Sequence, residues 1–134
     1  MALTNDEKLK HLEFIQTTIG RMADHSFLLK GWAITISIGL FAFLKDTTID
    51  FHQALLLNLP ILIFWLMDSF YLSKERAFRS LYENRSSGDH DFSLSIKGFC
   101  DGRNAWWRTF FSTTLIVFYG ALFIMMSVIY HIFK

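Results

Sequence analysis

Two charged residues stand inside apolar stretches, where charge needs a physical reason. Lys30 lies in SFLLKGW and Asp68 in FWLMDSFYL. If the two stretches cross a bilayer as antiparallel helices, both charges sit just inside the same edge, at depths of about 4.5 and 6 Å by helical rise. An unpaired charge there is expensive, so each is expected to find a partner. The reading favoured is an interhelical ion pair that ties the hairpin together. The alternative is a proton or ion relay through Asp68, which would call for acidic groups deeper in the membrane.

Gly31, Thr35 and Gly39 recur every four residues, a small-residue stripe that lets another helix approach closely. Its partner is either a helix of the same chain or a second copy. Gly120 and Ser127 offer a weaker seam further on. Asn58 is a polar group in an apolar run and is expected to meet another helix, as packing glue or as a pore-lining group, with glue the commoner role. Lys74, Arg76, Arg79 and Arg85 form a basic set that would attract anionic lipid or a phosphate ligand. The charge bias of membrane proteins explains most of it without a ligand. His90 between Asp89 and Asp91 reads as a solvated turn, since one His with two adjacent acids rarely converges on a metal. Cys100 reads as an inert thiol. There is no HExxH, GxSxG or glycine-rich phosphate loop. No catalytic residue, metal or cofactor is expected, and an enzyme is not.

The elements that position these residues follow from composition. Of 134 residues, 52% are hydrophobic and only 19% charged, below the roughly 25% of soluble domains. The length suits one unit. A net charge of +1 argues against nucleic acid as a partner, and a single Cys excludes a disulfide framework. Three stretches read as membrane spans. The clearest is 110–133, free of formal charge and without a polar stripe. The second, 54–72, carries Asn58, Pro60 and Asp68; proline is tolerated where neighbours re-satisfy the freed carbonyl. The weakest is 27–44, which spans only if Lys30 snorkels to the head groups, with Trp32 as an interfacial anchor. Otherwise it is a re-entrant or buried helix.

Residues 4–25 read as an amphipathic helix, with Thr4 and Glu7 at capping-box spacing and Leu12, Ile15, Ile19 and Met22 along one stripe. It either packs on the 73–85 segment, the reading favoured, or serves assembly or the membrane surface. Helical spacing continues from the second span to about Asn84, with Glu75–Arg79 and Arg79–Glu83 at i,i+4. Within the 73–109 loop, 86–91 is a break, 92–99 a short strand or loop, and Asn104 the expected N-cap of the third helix. Lys and Arg crowd the N-terminus and the 73–109 loop, against Lys45 in the first loop and Lys134 at the end. The positive-inside rule then places the N-terminus in the cytoplasm and the C-terminus outside. Trp106 and Trp107 fall at the cytoplasmic interface of the third span. The expected fold is an all-α membrane protein: three spans, an amphipathic N-terminal helix and a helical cytoplasmic extension of the second span.

Two strings, LEFIQTTIGRMADHSFLLKGW (12–32) and FWLMDSFYLSKERAFRSLYENR (64–85), resemble a group of small bacterial inner-membrane proteins that share no established activity. The matching positions are Arg21, Met22, Ser26, Phe27, Lys30, Gly31 and Trp32, then Trp65, Asp68, Tyr71, Glu75, Arg76, Phe78, Arg79 and Tyr82. They cover about a third of the chain, and the third span matches only in being apolar. His25 stands where the group often has Asn, a change that bears on local capping or a pH response. The resemblance implies the bacterial inner membrane and a link to anti-phage systems.

These features point to a homo-oligomeric protein of the lipid bilayer that alters membrane permeability, a defence effector triggered through its cytoplasmic face. The alternative is a scaffold or regulatory subunit that tethers a soluble protein partner through helix 4–25 and the 73–109 loop. Small-solute transport ranks third, because Asp68 is the only carboxylate inside the spans and lies near an edge.

Overall fold

The computed structural model describes residues 4–44, 50–87 and 94–133. These residues fold into helices and connecting turns, with no strand among them. Helix α1 runs unbroken from Asn5 to Leu44, 40 residues, or about 60 Å at helical rise. The two helices expected at 4–25 and 27–44 are therefore one. Polarity changes near residue 26, but no Pro occurs there and no Gly lies between Gly20 and Gly31, so nothing interrupts the ladder. At its start the Thr4 N–H donates to Glu7 Oε2 at 3.1 Å. Hydrogen bonds from the Thr4 side chain and backbone hold the Glu7 carboxyl below the ordinary range.

Helix α2, Phe51–Ser86, takes in the 54–72 stretch and the extension beyond it in 36 residues. Asp50 caps it, with its N–H donating to Gln53 Oε1 at 3.2 Å. Pro60 is accommodated inside. After α2 the chain takes single 3₁₀ turns at Lys97–Phe99 and Gly102–Asn104. Gly102 has φ of 65°, which a residue with a Cβ adopts only under strain. Of the 92–99 stretch, 94–96 is irregular and 97–99 is the first of these turns, so the described part holds no strand. His90 and its flanking acids, and Lys45 and Lys134, lie outside the described residues.

The third apolar stretch does not begin as one helix at Phe110. Trp106–Phe110 forms a short helix α3, and α4 starts at Thr113 and ends at Phe133. The Trp65 indole donates to the Phe110 carbonyl at 3.1 Å and Arg76 Nη2 to Ser112 Oγ at 2.8 Å. These side chains from α2 occupy the groups at the 110–112 junction and hold the break. Asn104 does not cap α3. Ala105 takes that place, while the Asn104 amide donates to Ser80 Oγ at 3.0 Å and to the Phe99 carbonyl at 2.8 Å.

Helices α1, α2 and α4 are each long and apolar enough to cross a membrane. α1 and α2 pair as an antiparallel hairpin along their length, and α4 lies against α2. Ala33, Ile61, Leu115, Tyr119, Leu122 and Met126 form the core where the three meet. Towards the other end of the hairpin, Ile15, Ala77 and Leu81 are fully buried, so the N-terminal part of α1 packs on the extension of α2. The rest of its stripe, Leu12, Ile19 and Met22, is half-buried on the same side.

Candidate functional site: a carboxylate enclosed by three helices

Asp68 is the point on which the three long helices converge. Its side chain is 0% exposed. From α1, Lys30 Nζ lies 2.5 Å from Asp68 Oδ2, and the Ser26 hydroxyl donates to Oδ1. Ser26 and Lys30 are one turn apart on the same face, and Lys30 Nζ also donates to Ser26 Oγ at 2.8 Å. From α4, Tyr119 Oη donates to Asp68 Oδ2 at 3.1 Å. The carboxylate thus accepts from an ammonium and two hydroxyls. Burying a charge is tolerable only when it is paired and its lone pairs are taken, and both conditions hold here.

The surroundings fix these donors. Tyr119 is fully buried, and its ring stacks on Trp65 at 5.9 Å between centroids, while Trp65 stacks on Phe110 at 4.5 Å. Lys30 Nζ lies 5.9 Å above the Phe118 ring. The Lys30 side chain keeps 21% of its surface exposed and is the one member of the cluster with a clear route outward. Nearby, the His25 and Tyr71 rings lie 5.3 Å apart. Among the described residues, the partners of Asp68 are Ser26, Lys30 and Tyr119, an arrangement that can hold the three helices together.

Lys30 and Asp68 stand out in the sequence as charges in apolar runs, whereas their companions Ser26 and Tyr119 do not. Ser26 was legible as the residue one turn before Lys30. Tyr119 carried only its identity, the sole tyrosine early in an otherwise apolar run.

Gly31, Thr35 and Gly39 are all exposed, and a Cβ added at either glycine would meet nothing within 4 Å. The stripe is therefore unpacked within the chain. The face of α1 that does pack is Ser26, Ala33 and Ser37, each buried, with Lys30 between them. Thr35 Oγ1 donates to the Gly31 carbonyl at 2.9 Å, its own helix. Gly120 likewise has open space at its Cβ position.

Among the described residues, Asn58 makes no hydrogen bond to another helix. Its Nδ2 donates to the Ala54 carbonyl at 2.8 Å, while its Oδ1 is buried with no partner. The four basic residues do not form one face. Lys74 Nζ lies 5.3 Å over the Phe70 ring and 3.9 Å from Cys100 Sγ. Arg79 binds Glu75 rather than Glu83, with Nη2 2.7 Å from Oε1, and Arg76 turns to Ser112. Arg85 sits in the last turn of α2. Among the described residues, no group of three His, Cys, Asp or Glu is placed to hold a metal.

Comparison with protein-family models, with curated proteins and with solved structures finds no match to this chain.

Proposed function

We propose that the protein is an oligomeric module of the bacterial inner membrane that alters bilayer permeability. The observation that carries assembly is the outward stripe Gly31, Thr35 and Gly39, which no helix among the described residues covers. In lipid, close backbone approach at such a stripe favours helix association. On the packed side of the hairpin, the Asn58 Oδ1 and Ser37 Oγ atoms are buried without a hydrogen-bond partner. Unsatisfied polar atoms at membrane depth are costly, and a rearranged assembly that admits water would relieve that cost. The surplus of Lys and Arg in the N-terminal segment and the 73–109 loop supports a cytoplasmic N-terminus and a C-terminus on the other side. The resemblance of the 12–32 and 64–85 strings supports a bacterial source and a role in anti-phage defence, with the cytoplasmic helices receiving the trigger.

The test is dye release from liposomes by the purified chain, with oligomer size measured in the same detergent. Release by wild type that is lost together with the oligomer in Gly31→Leu/Gly39→Leu supports the reading. An oligomer that releases nothing removes the permeability part, and a monomeric chain removes both.

A second reading is a membrane scaffold for a soluble protein partner. It is supported by the helical hairpin of α1 and α2 beyond the spans, where Gln16, Ile19 and Tyr82 border an open polar cleft. A tight co-purifying partner without dye release would favour it.

A further inference from the structure

Among the described residues, Arg76 has no salt-bridge partner. Its Nη2 donates to the neutral Ser112 hydroxyl. A guanidinium has five N–H donors, so most of its capacity is open. Its neighbour one turn on, Arg79, is held by Glu75, which is itself 8% exposed. The Arg79 side chain nevertheless remains 61% exposed.

Both arginines line one cleft of about 500 Å³, closed by Ser80, Glu83 and Asn104. A separate cleft of about 420 Å³ shares Arg79 and Glu83 and is lined also by Gln16 and Gly20 of α1. The far wall is rigidly built. Ser73 Oγ donates to the Asn104 carbonyl at 2.6 Å, the Asn104 amide donates to Ser80 Oγ, and Ser80 Oγ donates to the Arg76 carbonyl at 3.1 Å. The donors of Ser80 and Asn104 are thus committed to the wall, and Arg79 holds Glu75 Oε1 through Nε and Nη2, so Arg76 and the remaining Nη1 edge of Arg79 are left as the recognising groups. Planar guanidinium forks match phosphate oxygens and hold them in two-pronged hydrogen bonds.

The acids nearby set the charge that the cleft tolerates. Glu75 neutralises much of Arg79, and Glu83 adds a negative charge at the rim. A doubly charged phosphomonoester would meet about twice the repulsion from these acids that a singly charged phosphodiester meets. The level of the cleft is also informative. Ser112, bonded to Arg76, directly precedes the apolar run of α4, which places Arg76 where that helix enters its apolar zone.

We propose that the cleft of Arg76 and Arg79 binds a singly charged phosphodiester, either a phospholipid head group or a soluble phosphodiester. This stands apart from the permeability reading and needs no assembly.

Calorimetry on the full chain in a phosphate-free maltoside detergent tests it. The probes are dihexanoyl-phosphatidylglycerol below its micelle threshold, dihexanoylglycerol without phosphate, dimethyl phosphate and methyl phosphate. The phosphodiesters are expected to bind, with affinity falling about fivefold for each of Arg76→Gln and Arg79→Gln, at about 1 kcal/mol per cation. Lys74→Gln, outside the cleft, should bind as wild type does. Methyl phosphate should bind more weakly than dimethyl phosphate. A lipid much tighter than dimethyl phosphate identifies the head group as the source, and equal affinities identify a soluble ligand. Helix content by circular dichroism controls for folding; if Arg76→Gln fails there, the exposed Arg79 carries the test. The proposal is overturned if phosphate-free dihexanoylglycerol binds as well, if both arginine variants bind as wild type does, or if Lys74→Gln loses as much as they do.

Discussion

Tyr119 holds its hydroxyl 3.1 Å from the Asp68 carboxylate across 51 residues of sequence. This contact ties α4 to the α1–α2 hairpin, since Ser26 and Lys30 reach the same carboxylate from the other side. Tyr119→Phe keeps the ring stacked on Trp65 and removes only the hydroxyl. The expected cost is about 1.5–3 kcal/mol, the worth of a hydrogen bond to a charged group. Denaturant unfolding in detergent measures it, and stability equal to wild type would show that the hydroxyl does not bind the carboxylate.

Removing one partner of the Lys30–Asp68 pair should cost more than removing both. Lys30→Met strands an enclosed carboxylate, and Asp68→Leu strands an ammonium. Each is expected to lose about 3–5 kcal/mol, while the Lys30→Met/Asp68→Leu pair should recover most of it. The exchanged pair, Lys30→Asp with Asp68→Lys, should also be more stable than either single exchange. A double mutant no better than the sum of its singles would mean that the two groups are not coupled.

Asn104 fastens the 3₁₀ turns to α2 through its amide, and Ser73 grips its carbonyl. Asn104→Ala leaves the Phe99 carbonyl and Ser80 without that donor. The expected cost is about 1–3 kcal/mol, concentrated locally. Amide hydrogen exchange should quicken at 97–105 and stay unchanged in the core of α2 around Asp68. Uniform loss of protection would place the residue in the global core instead.

The helices themselves were legible, because each long apolar run leaves few alternatives to a helix in lipid. The Lys30 and Asp68 positions were legible for the same reason, as charges with nowhere else to go. The break before Thr113 was not. It depends on Trp65 and Arg76, residues of another helix that take hold of Phe110 and Ser112. The fusion of 4–25 with 27–44 is not marked in the sequence, because a change of polarity does not end a helix, whereas a residue such as Pro does. The packing face of α1 was also hidden. Gly31 and Gly39 drew attention by type, while the seam that meets α2 is made by Ser26, Ala33 and Ser37, whose spacing resembles a heptad.

The two faces of α1 should answer differently to the same enlargement. On the packed face, Ala33 and Ser37 are both 0% exposed, and leucine at either would overfill the hairpin. Ala33→Leu is expected to cost about 1–3 kcal/mol in the unfolding of the chain. On the outward face, Gly39 has open space where a Cβ would go. Gly39→Ala should leave the single chain unharmed or raise its stability by up to about 1 kcal/mol through helix propensity. Gly39→Leu should likewise fold as wild type does, yet it would keep a second helix from approaching the stripe. Oligomer mass in detergent, measured beside unfolding, separates the two effects. Lower mass with undiminished chain stability in Gly39→Leu, against diminished stability in Ala33→Leu, is the pattern expected. If Gly39→Leu changed neither mass nor stability, the outward stripe would face lipid alone.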